Sequence, residues 1–145
     1  MAAVAEELTD VDELTADDFI LGLFAALTRR NIPTVSMREE HFYEAIEASF
    51  RRLEELQSSD PGIAELTFRV KLDPLYGDSA VVRNAVNAVV QRTFLSLDNP
   101  EFVTIRSKLN DRQAERTLEH LPGKPEWYVA LADKFVEVRT AAKSA

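Results

Sequence analysis

The chain has 145 residues, 46% of them hydrophobic and 29% charged, with no cysteine and a formal charge of −8. That length suits one domain that buries its core without staples, and the absence of cysteine excludes disulfides, thiolate metal sites and a cysteine nucleophile. No apolar run nears the roughly 20 residues of a membrane span, and the acidic N-terminus reads as neither a secretory signal nor a transit peptide, so a cytoplasmic protein is expected.

The charge is concentrated. Residues 1–18 hold seven acids (Glu6, Glu7, Asp10, Asp12, Glu13, Asp17 and Asp18) and no Lys or Arg. The other 127 residues hold 18 acids against 17 bases, a net −1. Residues 1–14 therefore read as an acidic, flexible leader, and 15–142 as a single globular domain.

Thr15 with Asp18 reads as a capping-box variant. Phe19, Ile20, Leu23, Phe24 and Leu27 follow at helical spacing, and Asn31-Ile32-Pro33 ends a first helix of about 16–31. Ser36 and Glu39 fit an S-x-x-E capping box for a second helix reaching Ser58, with Phe42, Ile46, Phe50, Leu53 and Leu56 as its apolar stripe. Ser58 to Gly62 is a break. The period then falls to two. Leu66, Phe68, Val70 and Leu72 alternate with Thr67, Arg69, Lys71 and Asp73, which predicts a half-buried strand. Asp78 or Ser79 caps a valine-rich helix to Arg92, lined by Val82, Ala85, Val86, Val89 and Val90. Runs at 93–97 and 102–109 flank Asp98-Asn99-Pro100-Glu101 as a hairpin. Asn110 with Gln113 caps a helix of about 111–121, and Pro125 opens a last helix to about 142. The expectation is a mostly helical α+β fold, in the order α-α-β-α-β-β-α-α, with a small three-stranded antiparallel sheet.

No catalytic set is recognisable. The two histidines, His41 and His120, belong to no H-E-x-x-H pattern, and no Walker or G-x-S-x-G sequence occurs. Glu40, Glu44 and Glu47 share a helix face, but no Glu-x-x-His on another helix completes a carboxylate metal site. No metal, cofactor or enzymatic activity is expected.

Binding surfaces carry more signal. If the 66–72 and 103–109 strands pair, Arg69, Lys71, Arg106 and Lys108 fall on one open sheet face, and Arg83 and Arg92 extend it. Such a stripe suits an acidic partner or phosphate. Arginines, together with Trp127 and Tyr128 near a loop, are residue types that anchor protein interfaces. The 79–92 helix followed by a hairpin resembles a winged-helix layout, in which Asn84, Asn87 and Gln91 would read base edges. Against that layout, only one helix separates the first two predicted strands.

The run Asp73-Pro74-Leu75-Tyr76-Gly77-Asp78-Ser79, its helix, the hairpin with Asn99-Pro100 and the capped helix after it resemble bacterial proteins of the Panacea antitoxin type across residues 40–121. The chain departs from that pattern at Asp78, where the family's turn carries proline, and lacks the aromatic run before the turn. The resemblance implies a neutralising or regulatory protein, and no functional residue is carried over from it. The expectation is thus a non-catalytic regulatory or inhibitory protein that works by protein–protein contact. The alternative is a winged-helix-like DNA-binding regulator.

Overall fold

A computed structural model of the chain describes residues 12–75, 77–98, 101 and 103–144, with side chains as far as residue 140. Its elements in order are β1 (Asp12–Leu14), α1 (Ala16–Arg29), β2 (Thr34–Ser36), α2 (Phe42–Ser59), β3 (Ala64–Leu66), α3 (Ala80–Gln91), β4 (Leu95–Leu97), β5 (Thr104–Ser107), α4 (Asp111–His120) and α5 (Pro125–Ser144). The fold class is α+β. A three-stranded antiparallel sheet, in the order β2-β5-β4, stands apart from a parallel pair, β1-β3.

Helix α1 is the central column. Thr15 caps it as expected: its Oγ1 accepts from the Asp18 N–H at 3.2 Å, and its own N–H donates to the Asp18 carboxylate at 3.0 Å. Residues 19–27 are buried without interruption. A helix apolar on every side must be surrounded, and α1 packs against α3, α4 and α5. Gly22 admits the Tyr128 ring, because a Cβ there would lie 2.1 Å from a ring carbon. The Tyr128 hydroxyl donates to the Pro122 carbonyl at 2.5 Å. At the far end, Asn31 takes φ 63°, the Ile32 N–H reaches Leu27 O at 2.9 Å and the Asn31 N–H reaches Thr28 O at 3.0 Å. This is a Schellman exit, a position that tolerates asparagine.

Helix α2 lies along α5. The buried Ser49 hydroxyl sits 2.9 Å from Ala45 O and 3.1 Å from Leu131 O, tying the two helices together. The Ser36–Glu39 capping box expected for α2 does not form. Ser36 ends β2, its carbonyl accepts from the Glu39 N–H at 3.1 Å, and the helix starts only after His41, which takes φ 68°. Glu39 instead accepts from Arg139 of α5 at 2.5 Å.

The strand expected over 66–72 is also corrected. Only Ala64–Leu66 pair, in parallel with Asp12–Leu14, and the chain beyond them is extended without a ladder. The alternation is real at the level of burial: Val70 is buried, while Thr67, Arg69 and Lys71 are exposed. Phe68 packs 5.5 Å from the Phe19 ring and 5.0 Å from the Phe50 ring, so the core holds the segment without a sheet. The third strand of the sheet is β2, with Val35 opposite Ile105 and Leu97 on the other side of Ile105.

Leu14 is fully buried, so β1 belongs to the folded body; residues 1–11 of the expected leader lie outside the described residues. The helix expected over 79–92 forms as Ala80–Gln91, with Ser79 Oγ accepting from the Val82 N–H at 3.2 Å. Asn110 and Gln113 make the expected capping box at α4. Among the described residues no helix is long and apolar enough to cross a membrane.

The chain runs α1-β2-α2-β3-α3-β4-β5, with β5 between β2 and β4 in the sheet. Two helices, with β3 between them, separate the first two strands of this sheet, where the sequence predicts one. The pair α2 and α3 nevertheless rests chiefly on different partners, α2 on α5 and α3 on α1.

Candidate functional site

The four cations expected on one sheet face, and the two on the helix expected to extend it, are dispersed. Because β5 pairs with β2 and β4, the 69–71 segment never meets it. Arg106 projects from β5 and is held by Asp98, with contacts of 3.0 Å from Nε and 2.7 Å from Nη2 to the same carboxylate oxygen. That pairing raises the Arg106 pKa above its usual value, through hydrogen bonding first and charge second. The cation is thereby occupied. Lys108 follows β5, and its N–H donates to Phe94 O at 2.9 Å. Arg92 lies at the C-terminal end of α3.

Arg69, Lys71 and Arg83 do come together. They flank an open groove of about 350 Å³ between the 69–74 segment and the first turn of α3. Leu72, Pro74 and Val81 give it an apolar lining, and Asp73 and Asp78 also border it. The groove is held open by local turns. The Asp73 N–H donates to Asp78 O at 2.7 Å, the Gly77 N–H donates to Asp73 O at 2.7 Å, and Asp73 Oδ1 accepts from the Leu75 N–H at 2.8 Å. Gly77 has φ 70°, which explains a glycine at that position. Arg83 is ion-paired with Asp78, with both side chains well exposed. Arg69 and Lys71 have no carboxylate partner among the described residues, and on their other side a second hollow is bordered by Glu47 and Glu54 of α2.

Exposed apolar surface lies in and beside the groove: Val81 lines it, and Leu75 follows its Pro74 in the chain. Leu75 is 77% exposed and Val81 38%; with Val129 on α5 they are the large hydrophobics exposed among the described residues. Neither Leu75 nor Val81 was singled out in the sequence. Leu75 sits in a break, and Val81 is hidden among the valines of α3, so no periodic signal marks them.

The outward side of α3 carries Arg83, Asn84, Asn87 and Gln91, all exposed, opposite buried Val82, Ala85, Val86 and Val89. No acid occurs between Ser79 and Leu97. Trp127 and Tyr128, whose types suit an interface but more often a core, are both buried in the core. Burial pushes the Tyr128 phenol far above its usual pKa, with a smaller contribution from the Asp18 charge.

His41 and His120 do not form a catalytic constellation. His41 Nδ1 lies 2.6 Å from Glu44 and Nε2 3.3 Å from Glu40. Among the described residues, no group of three or more His, Asp or Glu side chains is placed to hold a metal ion. Every buried side-chain N or O among them has a hydrogen-bond partner. Compared with known proteins, the chain matches no family model, no curated protein and no solved structure.

Proposed function

We propose that the protein is a non-catalytic regulatory or inhibitory module that binds a protein partner through the groove between residues 69–74 and α3. The observation that carries this reading is the coincidence of exposed apolar side chains with free cations in and beside one concave place. Val81 in the groove and Leu75, next in the chain to its Pro74, offer anchors, and Arg69 and Lys71 line the same groove without carboxylate partners among the described residues. The Arg83–Asp78 pair is exposed, so it contributes little to stability and exchanges readily for a partner's carboxylate. A complementary segment would present apolar side chains flanked by Asp or Glu. Arginine beside a buried apolar anchor is a recurrent hot-spot arrangement.

The test is quantitative capture of the partner by Leu75→Asp/Val81→Asp and by Arg69→Glu, with Val129→Asp as control. Both groove variants should retain less than about a tenth of the partner, with circular dichroism unchanged, while the control behaves as wild type. Full capture by the groove variants overturns the assignment.

One specific arrangement favours a second reading, DNA recognition by α3. The sheet order is winged-helix-like, and the exposed α3 face is free of acids and carries Asn84, Asn87 and Gln91, types that pair with base edges. The phosphate-binding side of that reading is thin. Arg106 is tied to Asp98, and the hairpin turn contributes Glu101, itself paired with Arg38. Duplex binding that weakens with salt and loses sequence preference in Asn87→Ala would establish it. Absence of binding at low salt removes it.

A further inference from the structure

A second concave site lies at the other end of α3. Arg92 ends the helix there, and Thr93, at φ 68°, turns the chain back so that the Phe94 N–H reaches Val89 O at 3.4 Å. The Arg92 guanidinium lies 5.3 Å from the centre of the Phe94 ring. From α4, Arg116 and His120 are one turn apart and border the same hollow, which has a volume of about 350 Å³. Leu21, Leu121 and Pro122 supply apolar lining.

Most of the described arginines are ion-paired, while Arg69, Lys71, Lys108 and Arg112, like the two arginines of this hollow, are not. Arg30, Arg83, Arg106 and Arg139, among others, each sit on a carboxylate. Arg92 and Arg116 have no carboxylate partner among the described residues, although acids outnumber bases by 25 to 17 in the sequence. Both border this one hollow. The helix dipole accounts for Arg92 and for His120 in the last turn of α4, but Arg116 lies one turn earlier, where the effect has faded. Asp18 also borders the hollow with its negative charge, while its Oδ2 accepts from the Thr15 N–H and hydroxyl, each at 3.0 Å, so an anionic head belongs on the Arg92–Arg116 side. The His120 Nδ1 lies 2.8 Å from the Arg116 carbonyl, which only accepts, so Nδ1 donates. Nε2 is left without a partner among the described residues.

We infer that this hollow is a binding site for a small organic anion, a carboxylate or phosphate carried on an apolar or aromatic body. Arg92 and Arg116 hold the charged head by charge-assisted hydrogen bonds. Leu21, Leu121 and Pro122 cover the body, and the volume falls within the range of small-molecule pockets. The site is separate from the 69–74 groove and stands whichever partner that groove takes.

The experiment is a titration of the isotope-labelled full chain, followed by two-dimensional NMR, with phenyl phosphate, benzoate and inorganic phosphate as probes. Phenyl phosphate or benzoate should give saturable shifts centred on residues 92–94 and 116–121, and the tighter of the two identifies the preferred head group. Arg92→Gln and Arg116→Gln should each weaken binding about fivefold or more. Arg112→Gln, an exposed arginine of α4 outside the hollow, should leave affinity within about twofold of wild type. Overlap of all resonances remote from the site shows that the variants are folded. Absence of saturable shifts, or an equal loss in Arg112→Gln, overturns the site. Inorganic phosphate binding as tightly as phenyl phosphate overturns the apolar part of the ligand.

Discussion

Gly22 and Tyr128 show how little room some positions leave. A methyl group at 22 would fall inside the Tyr128 ring, and that ring is fully buried with its hydroxyl bonded to Pro122. Gly22→Ala should therefore lower stability by about 3 kcal/mol, measured by urea unfolding, because the core cannot yield without losing that bond. Thr93 presents the opposite case. It occupies the left-handed position of a Schellman exit, where glycine is preferred and a β-branched residue is strained. Thr93→Gly should raise stability by about 1 kcal/mol in the same assay. His41 gives a pH signature. Its hydrogen bond to Glu44, followed by the charges of Glu44 and Glu40, raises its pKa above 6.5 in the folded state. The folded protein thus holds this proton more tightly than the unfolded chain does. The resulting stability is fully present below pH 6.5 and is lost as pH rises through the raised midpoint. NMR titration of the imidazole should show that midpoint, and Glu44→Gln should move it back towards 6.5.

Elements differ in how openly the sequence announces them. The caps at Thr15 and Asn110 form as read, and of the two candidates for α3 it is Ser79 that caps, because an N-cap is a local contact over three residues. Thr15→Ala should cost about 1 kcal/mol by the same unfolding assay, through the lost bond to the Asp18 N–H. Ser36-x-x-Glu39 has the same pattern and fails, since Ser36 is claimed by β5 and Glu39 by Arg139, both remote in sequence. β1, β2 and β3 are three residues each, too short to show a period. The long alternation over 66–72 misled for a related reason. Phe68 and Val70 point into the core, as they would from a strand, but nothing pairs with their backbone. Alternation reports which face is buried and says nothing of the neighbour that completes a ladder. The candidate site inherited that error. Arg69 and Lys71 were assigned to the sheet with Arg106, whereas they lie beside Arg83 at the start of α3. The Arg92–Arg116 hollow had no signature at all in the sequence, since a fold-dependent meeting of α3 and α4 creates it.

At the scale of the molecule, neighbours in space are distant in sequence. β1 pairs with β3, β2 with β5, and the middle of α1 with Tyr128. The ion pairs follow the same pattern, with Arg30 reaching Asp133 and Arg139 reaching Glu39. These exposed or partly exposed pairs contribute modestly, and the cohesion comes chiefly from the apolar core, with the column of residues 19–27 at its centre. That column has a consequence for how the chain is made. A ribosome releases residues 19–27 long before α4 and α5, so in a nascent chain the sides of this apolar stretch that α4 and α5 cover stay open until residues 111–135 emerge. Exposed apolar segments of this kind are aggregation-prone and are what chaperones recognise. Chains arrested with residues 1–110 outside the exit tunnel should crosslink to a chaperone through position 23 or 27. Chains arrested with 1–145 exposed should not, and equal crosslinking at both lengths would show that α4 and α5 are not what closes the core.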